Sequence, residues 1–167
     1  MAFNPKRIFR YYSLRFKRLG GDPHSLAMGT AVGIFIGLTP TFPLHTVAIV
    51  FTTLIMRVNT IAGLISATMV SNPLTMAFQY YITWKIGNFF LPDRLTWERL
   101  KEVLEIMTNQ GFLDSLRTIS NLSADAFMVM MLGGILLALL PTLISYYFSL
   151  RFFIKIREKR RQKHLLN

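Results

Sequence analysis

Residues 26–91 read LAMGTAVGIFIGLTPTFPLHTVAIVFTTLIMRVNTIAGLISATMVSNPLTMAFQYYITWKIGNFFL, and the only formal charges in that stretch are Arg57 and Lys85. So few charges cannot clothe a water-facing surface, so the block must face lipid or itself. It is nevertheless not continuous. Thr39-Pro40-Thr41-Phe42-Pro43 separates Leu26 to Leu38 from Leu44 to Met56; Arg57-Val58-Asn59 separates that piece from Thr60 to Val70; Ser71-Asn72-Pro73 separates that in turn from Leu74 to Leu91. The first three pieces hold thirteen, thirteen and eleven residues, ~20 Å or less as helix. None spans a ~30 Å hydrocarbon core alone. Short apolar pieces that meet at prolines are the mark of re-entrant or discontinuous helices, whose irregular backbone survives at membrane depth only where protein or water reaches it. Two threadings fit: Leu26 to Met56 is a hairpin that dips in and returns, with Thr60 to Leu91 crossing as a broken helix, or Leu26 to Met56 crosses directly as one kinked helix. The hairpin is the simpler.

Working outward, the whole chain has 167 residues, 52% hydrophobic and 16% charged, with no Cys and a formal net charge of +11. Disorder is excluded by the apolar content, and disulfides, thiolate metal sites and thiol nucleophiles by the absence of Cys. The positive charge lies at the ends. Lys6, Arg7, Arg10, Arg15, Lys17 and Arg18 precede the apolar block, and Arg151, Lys155, Arg157, Lys159, Arg160, Arg161 and Lys163 close the chain. Between Asp93 and Asp125 six acids face four bases. Because Lys and Arg are retained on the cytoplasmic side, both termini are expected there and the 93–125 loop outside. The last crossing is Ala126 to Leu150, twenty-five uncharged residues with Pro141 inside and Tyr146 and Tyr147 near one end.

This gives an all-α, polytopic integral membrane protein in three parts. Residues 1–24 form a basic cytoplasmic amphipathic helix, with Phe9, Tyr12, Phe16 and Leu19 on one face, suited to an anionic leaflet. Residues 25–150 form the membrane domain, including the 93–125 external amphipathic loop capped at Thr96. Residues 151–167 form a basic cytoplasmic tail. Four-residue spacing of small side chains at Gly29, Gly33 and Gly37, at Gly63 and Ala67, and at Gly134 and Ala138 predicts close helix packing in lipid. Gly33-x-x-x-Gly37 before one break and Gly63-x-x-x-Ala67 before another also make a faint internal echo.

For chemistry the sequence offers little. The acids lie on the outer loop at helix-surface spacing, no His cluster makes a metal site, and phosphate-loop, dinucleotide and nucleophile-elbow motifs are absent. No enzyme activity, cofactor or metal is expected. What remains at membrane depth is a polar set without acids, Thr39, Thr41, His45, Arg57, Asn59, Ser71, Asn72, Thr75, Gln79 and Lys85, beside Pro40 and Pro73. Cations without acids suggest an anionic, amphipathic guest such as a lipid phosphate, bound or moved at the paired breaks. Snorkelling cations and capped helix ends account for the same residues without a ligand. The alternative from another class is a non-transporting scaffold that docks a cytoplasmic partner through the basic ends. Anionic membrane lipids are the expected partners, a homo-oligomer is compatible with the glycine stripes, and nucleic acid is not expected.

Ala27-x-Gly29-x-Ala31-x-Gly33-x-x-x-Gly37-x-x-Pro40, then Arg57-x-Asn59, then Ser71-Asn72-Pro73-Leu74-Thr75, with Tyr81 and Gly87 beyond, closely resembles the bacterial membrane-protein family catalogued as domain of unknown function 2062 (DUF2062). The resemblance covers roughly residues 20 to 150. It implies a bacterial inner-membrane location and supplies no activity, so no functional residue is carried over from it.

Overall fold

The computed structural model describes residues 5–41, 44–71, 73–92, 94–98, 100–101 and 124–165. Its helices are α1 (Pro5–Arg18), α2 (Pro23–Leu38), α3 (His45–Ile55), α4 (Thr60–Val70), α5 (Pro73–Phe90) and α6 (Ala124–Leu165), and no strand occurs among the described residues. All three expected interruptions are present. Asp22 starts α2 by accepting the Ser25 N–H at 3.1 Å with Pro23 in the first turn, and Asn59 starts α4 by accepting the Ala62 N–H at 2.8 Å. Pro40 forces Thr39 out of the helical region, to φ −81° and ψ 141°, so α2 stops there. Pro73 is the first residue of α5.

The expected last span and the basic segment after Leu150 lie on one helix, α6, of 42 residues, which carries the basic segment as its last turns. Lys and Arg are good helix formers, so composition shifts there without a change of backbone. Pro141 lies within it and lacks the N–H that would bond the Leu137 carbonyl. By length and composition α6 is the one helix among the described residues able to cross a membrane, and only 28% of its most apolar window is buried. The apolar helices α2, α3 and α4 are individually too short. Of the external loop, the structure describes its beginning: Leu100 N–H bonds the Thr96 carbonyl at 3.2 Å, and Leu95 and Leu100 are buried with Tyr80 and Val129. The expected pieces from 102 to 123, and Asn72, lie outside the described residues.

Helices α2 and α4 pack parallel with a constant offset of thirty residues: Gly29 lies on Asn59, Gly33 on Gly63 and Gly37 on Ala67. A side chain on Gly33 would collide with the Gly63 carbonyl and the Ser66 hydroxyl, so the absence of Cβ sets the approach. Helix α3 packs against both, closing a hairpin with α2. Helix α6 runs antiparallel to α2, touching the Thr39-Pro40 corner with Gly134 and His24 with Tyr146. Helix α5 runs antiparallel to α6, with Gly87 on the Val129 carbonyl and Gly133 on the Thr83 carbonyl. The end of α1 docks on the basic end of this bundle, where Phe16 stacks against Phe152 and Phe153.

Small and polar groups line the helix contacts, including buried Thr30, Thr53, Ser66, Gln79 and Thr83, while large apolar side chains such as Val47, Phe51, Phe78, Leu140, Leu143 and Phe148 point outward. Large apolar side chains are thus exposed beside a core that is itself apolar at Leu26, Ile49, Ile65, Tyr80 and Val129.

Candidate functional site

The residues singled out in the sequence fall at the two ends of the α2–α4 pair, with Lys85 apart on the exposed side of α5, rather than in one pocket. At the shared level of the α2 and α4 ends, Thr39 is 6% exposed and donates its hydroxyl to the Phe35 carbonyl at 2.8 Å. Thr41 lies 3.3 Å from the Ile36 carbonyl, and Gln79 of α5 donates to the Gly37 carbonyl at 2.8 Å. The carbonyls left open by the end of α2 are thus satisfied by side chains. Pro40 rests on Gly134. The thirty-residue offset places Val70 level with Pro40, so Ser71, whose N–H bonds the Ala67 carbonyl at 2.7 Å, opens the second break beside the first. His45 is half-buried in the first turn of α3, its Nε2 3.4 Å from the Thr46 hydroxyl.

Arg57 and Asn59 lie at the opposite end of α4, level with Ser25 and Gly29; the Asn59 N–H bonds the Ser25 carbonyl at 3.2 Å. Lys85 is exposed further along α5. Arg57 does not reach the breaks. The reason is geometric: α3 returns through the full depth of the hairpin, carrying Arg57 a helix length away from Pro40.

The arrangement that does combine charge with an apolar recess lies elsewhere. Residues Thr30 and Ile34 of α2, Ser66, Met69 and Val70 of α4, Phe16 and Lys17 of α1, and Ser149 and Phe152 of α6 enclose a cleft of about 310 Å³. It adjoins a second cleft of about 320 Å³ through Lys17 and Phe152, whose remaining walls are Ile156, Lys159 and Arg160. Apart from Lys17, Ser149 and its floor, the inner cleft is lined by apolar side chains. There the Ser66 hydroxyl donates to the Thr30 carbonyl at 3.1 Å and to Gly63 at 2.9 Å, and the Thr30 hydroxyl donates to Leu26 at 2.8 Å. With those protons engaged inside the bundle, the floor does not solicit a charged group. Charge waits at the mouth, where Lys17, Lys159 and Arg160 are exposed. Arg160 also donates to the Lys17 and Leu19 carbonyls at 2.9 and 3.2 Å, holding the end of α1 over the cleft, and Arg157 pairs with Asp22 at 3.6 Å.

Sequence reasoning placed Lys17, Lys159 and Arg160 among the flanking charges and did not single out Thr30, Ile34, Ser66 or Phe152. Ser66, one turn beyond Gly63, was the available signal: a hydroxyl in a small-residue stripe. No group of three His, Cys, Asp or Glu that could hold a metal occurs among the described residues. No curated protein and no solved structure matches the chain. The family model described as "Uncharacterized protein conserved in bacteria (DUF2062)" matches residues 6–162, so the chain belongs to that family.

Proposed function

We propose that the protein is a multi-pass bacterial inner-membrane protein that binds an anionic amphiphile, a lipid carrying a phosphate-like headgroup, in the cleft between α1, α2, α4 and α6. In this reading α2 and α3 form a re-entrant hairpin, α4 and α5 together cross outward, α6 crosses back, and both termini are cytoplasmic. The outward-facing apolar side chains support burial in lipid. So do aromatic clusters toward the two ends, Tyr81, Trp84 and Trp97 on one and Tyr146 and Tyr147 on the other. Gly134 lies sixteen residues before Leu150, which sets the Pro40 corner ~24 Å from the cytoplasmic end of the span. Gly134 of α6 packs on Pro40 and Gln79 of α5 bonds the Gly37 carbonyl at this corner.

The observation that carries the ligand class is the continuity of an apolar recess with a mouth of Lys17, Lys159 and Arg160. A chain enters such a recess by the hydrophobic effect while the headgroup takes charge-assisted hydrogen bonds. The test measures binding of anionic phosphatidylglycerol and zwitterionic phosphatidylcholine to the detergent-solubilised protein by native mass spectrometry. Wild type is expected to retain the anionic lipid preferentially. Lys17→Ala with Lys159→Ala should remove the preference, and Ile34→Trp, which fills the recess, should lower retention of both lipids. Unchanged retention in all of these variants in the folded state would refute the cleft as a lipid site.

A second reading is favoured by α6 itself, which continues fifteen residues past Leu150 to Leu165 as a helix with Arg151, Lys155 and Arg161 exposed. Such an arm suits docking of an acidic cytoplasmic partner. Arg161→Glu with Lys155→Glu would then abolish the phenotype while the cleft variants spare it.

A further inference from the structure

Arg57 is the one non-glycine residue among the described residues with positive φ, at 53°. It follows Met56, the C-cap of α3, and the two hydrogen bonds around it define its position: Arg57 N–H to the Leu54 carbonyl at 3.1 Å and Val58 N–H to the Thr53 carbonyl at 2.9 Å. This is the Schellman ending of a helix, whose left-handed position is ordinarily glycine. A glycine there would relieve the crowding that an L side chain suffers in that region.

Nothing in the turn requires the arginine side chain. The turn is braced from outside it: the Thr53 and Thr60 hydroxyls bond at 2.9 Å, Asn59 caps α4, and the Asn59 N–H ties the turn to Ser25. Among the described residues the guanidinium, which is exposed, has no hydrogen-bond or ion-pair partner. It follows Leu54, Ile55 and Met56, which are 65%, 65% and 44% exposed, so a bare apolar stretch ends in a cation without a partner among the described residues. A residue in the left-handed region whose side chain makes no hydrogen bond or ion pair among the described residues, held by its surroundings, points to a role outside the fold.

We infer that the Arg57 guanidinium is a phosphate anchor: it binds lipid phosphate at the headgroup plane and fixes the depth of the α3–α4 turn. The inference rests on the membrane placement proposed above and is independent of the cleft. A guanidinium matches phosphate oxygens with two parallel hydrogen bonds, and its position one residue past an apolar face is where a cation meets the interface.

The chain has no Cys, so Met56→Cys and, separately, Lys155→Cys can each carry a fluorophore in reconstituted vesicles. Quenching by headgroup-nitroxide phosphatidylglycerol is compared with quenching by the phosphatidylcholine analogue. At position 56 the anionic lipid is expected to be enriched about fivefold, the scale of one interfacial cation. Arg57→Gly should bring the ratio to about one, Arg57→Lys should keep most of it, and the ratio at 155 should not move. In detergent without lipid, Arg57→Gly should melt at or above wild type, by about 3 °C. Arg57→Gln, which keeps the backbone strain and removes the charge, supplies the same lipid readout should the glycine variant not fold.

Retained enrichment in Arg57→Gly or Arg57→Gln overturns the proposal, and so does a glycine variant that melts below wild type. Anionic enrichment at 155 with none at 56 overturns the Arg57 anchor alone. Absence of quenching by either lipid at both positions overturns the membrane placement as well.

Discussion

Two glycines illustrate how differently one residue type acts within this chain. Gly33 faces the Gly63 carbonyl and the Ser66 hydroxyl, and nothing there is the free end of a flexible side chain, so an added methyl must push the helices apart. Gly33→Ala is expected to cost about 1–3 kcal/mol, read as a lowered melting temperature in detergent. Gly20, in the connection before α2, has nothing within 4 Å and no positive φ. Gly20→Ala should change stability by less than about 0.5 kcal/mol in the same measurement. If the two variants melted alike, the close α2–α4 approach would not be what the glycines provide. Gln79 makes the complementary point. Its side chain reaches across from α5 to the Gly37 carbonyl at 2.8 Å and satisfies a buried acceptor that the end of α2 leaves open.

Among the elements, α1 and the last turns of α6 depend on each other. Phe16 stacks on Phe152 and Phe153, and Arg160 bonds the carbonyls that end α1. Arg160→Ala should release the end of α1, so that trypsin cleaves after Lys17 and Arg18 several-fold faster while the melting of the bundle is little changed. Equal cleavage rates would show that the aromatic stack alone holds α1. This junction could not be read from the sequence, because Lys17 and Arg160 are brought together by the tertiary fold. By contrast, the ends of α2, α3, α4 and α5 were legible, since Pro40, Asn59 and Pro73 act on the backbone within a residue or two of where they stand. The length of α6 was hidden for an intermediate reason. The change from apolar to basic residues after Leu150 resembles a boundary, yet both compositions favour the same helix. As for the candidate site, the acid-free polar set was legible as residues, but not the separation of Arg57 and Asn59 from the breaks, which the return path of α3 imposes.

At the scale of the molecule, the helix directions make a definite prediction about sidedness. Gly20, Met56 and Arg161 belong to one end of the bundle and Thr96 to the other, and all four are exposed. Single Cys substitutions at these positions, treated with an impermeant thiol reagent in sealed inside-out vesicles, should label at 20, 56 and 161 and not at 96. Protection of 56 with labelling of 20 and 161 would mean that α2 and α3 traverse the bilayer directly instead of folding back. The single rod α6 grips both ends of the assembly, the Pro40 corner through Gly134 and the α1 arm through Phe153 and Arg160. Pro141, with its missing backbone bond, stands between the two grips. The two grips therefore lie on one continuous helix whose backbone bonding is thinnest at Pro141, and Pro141→Ala would restore the missing bond between them.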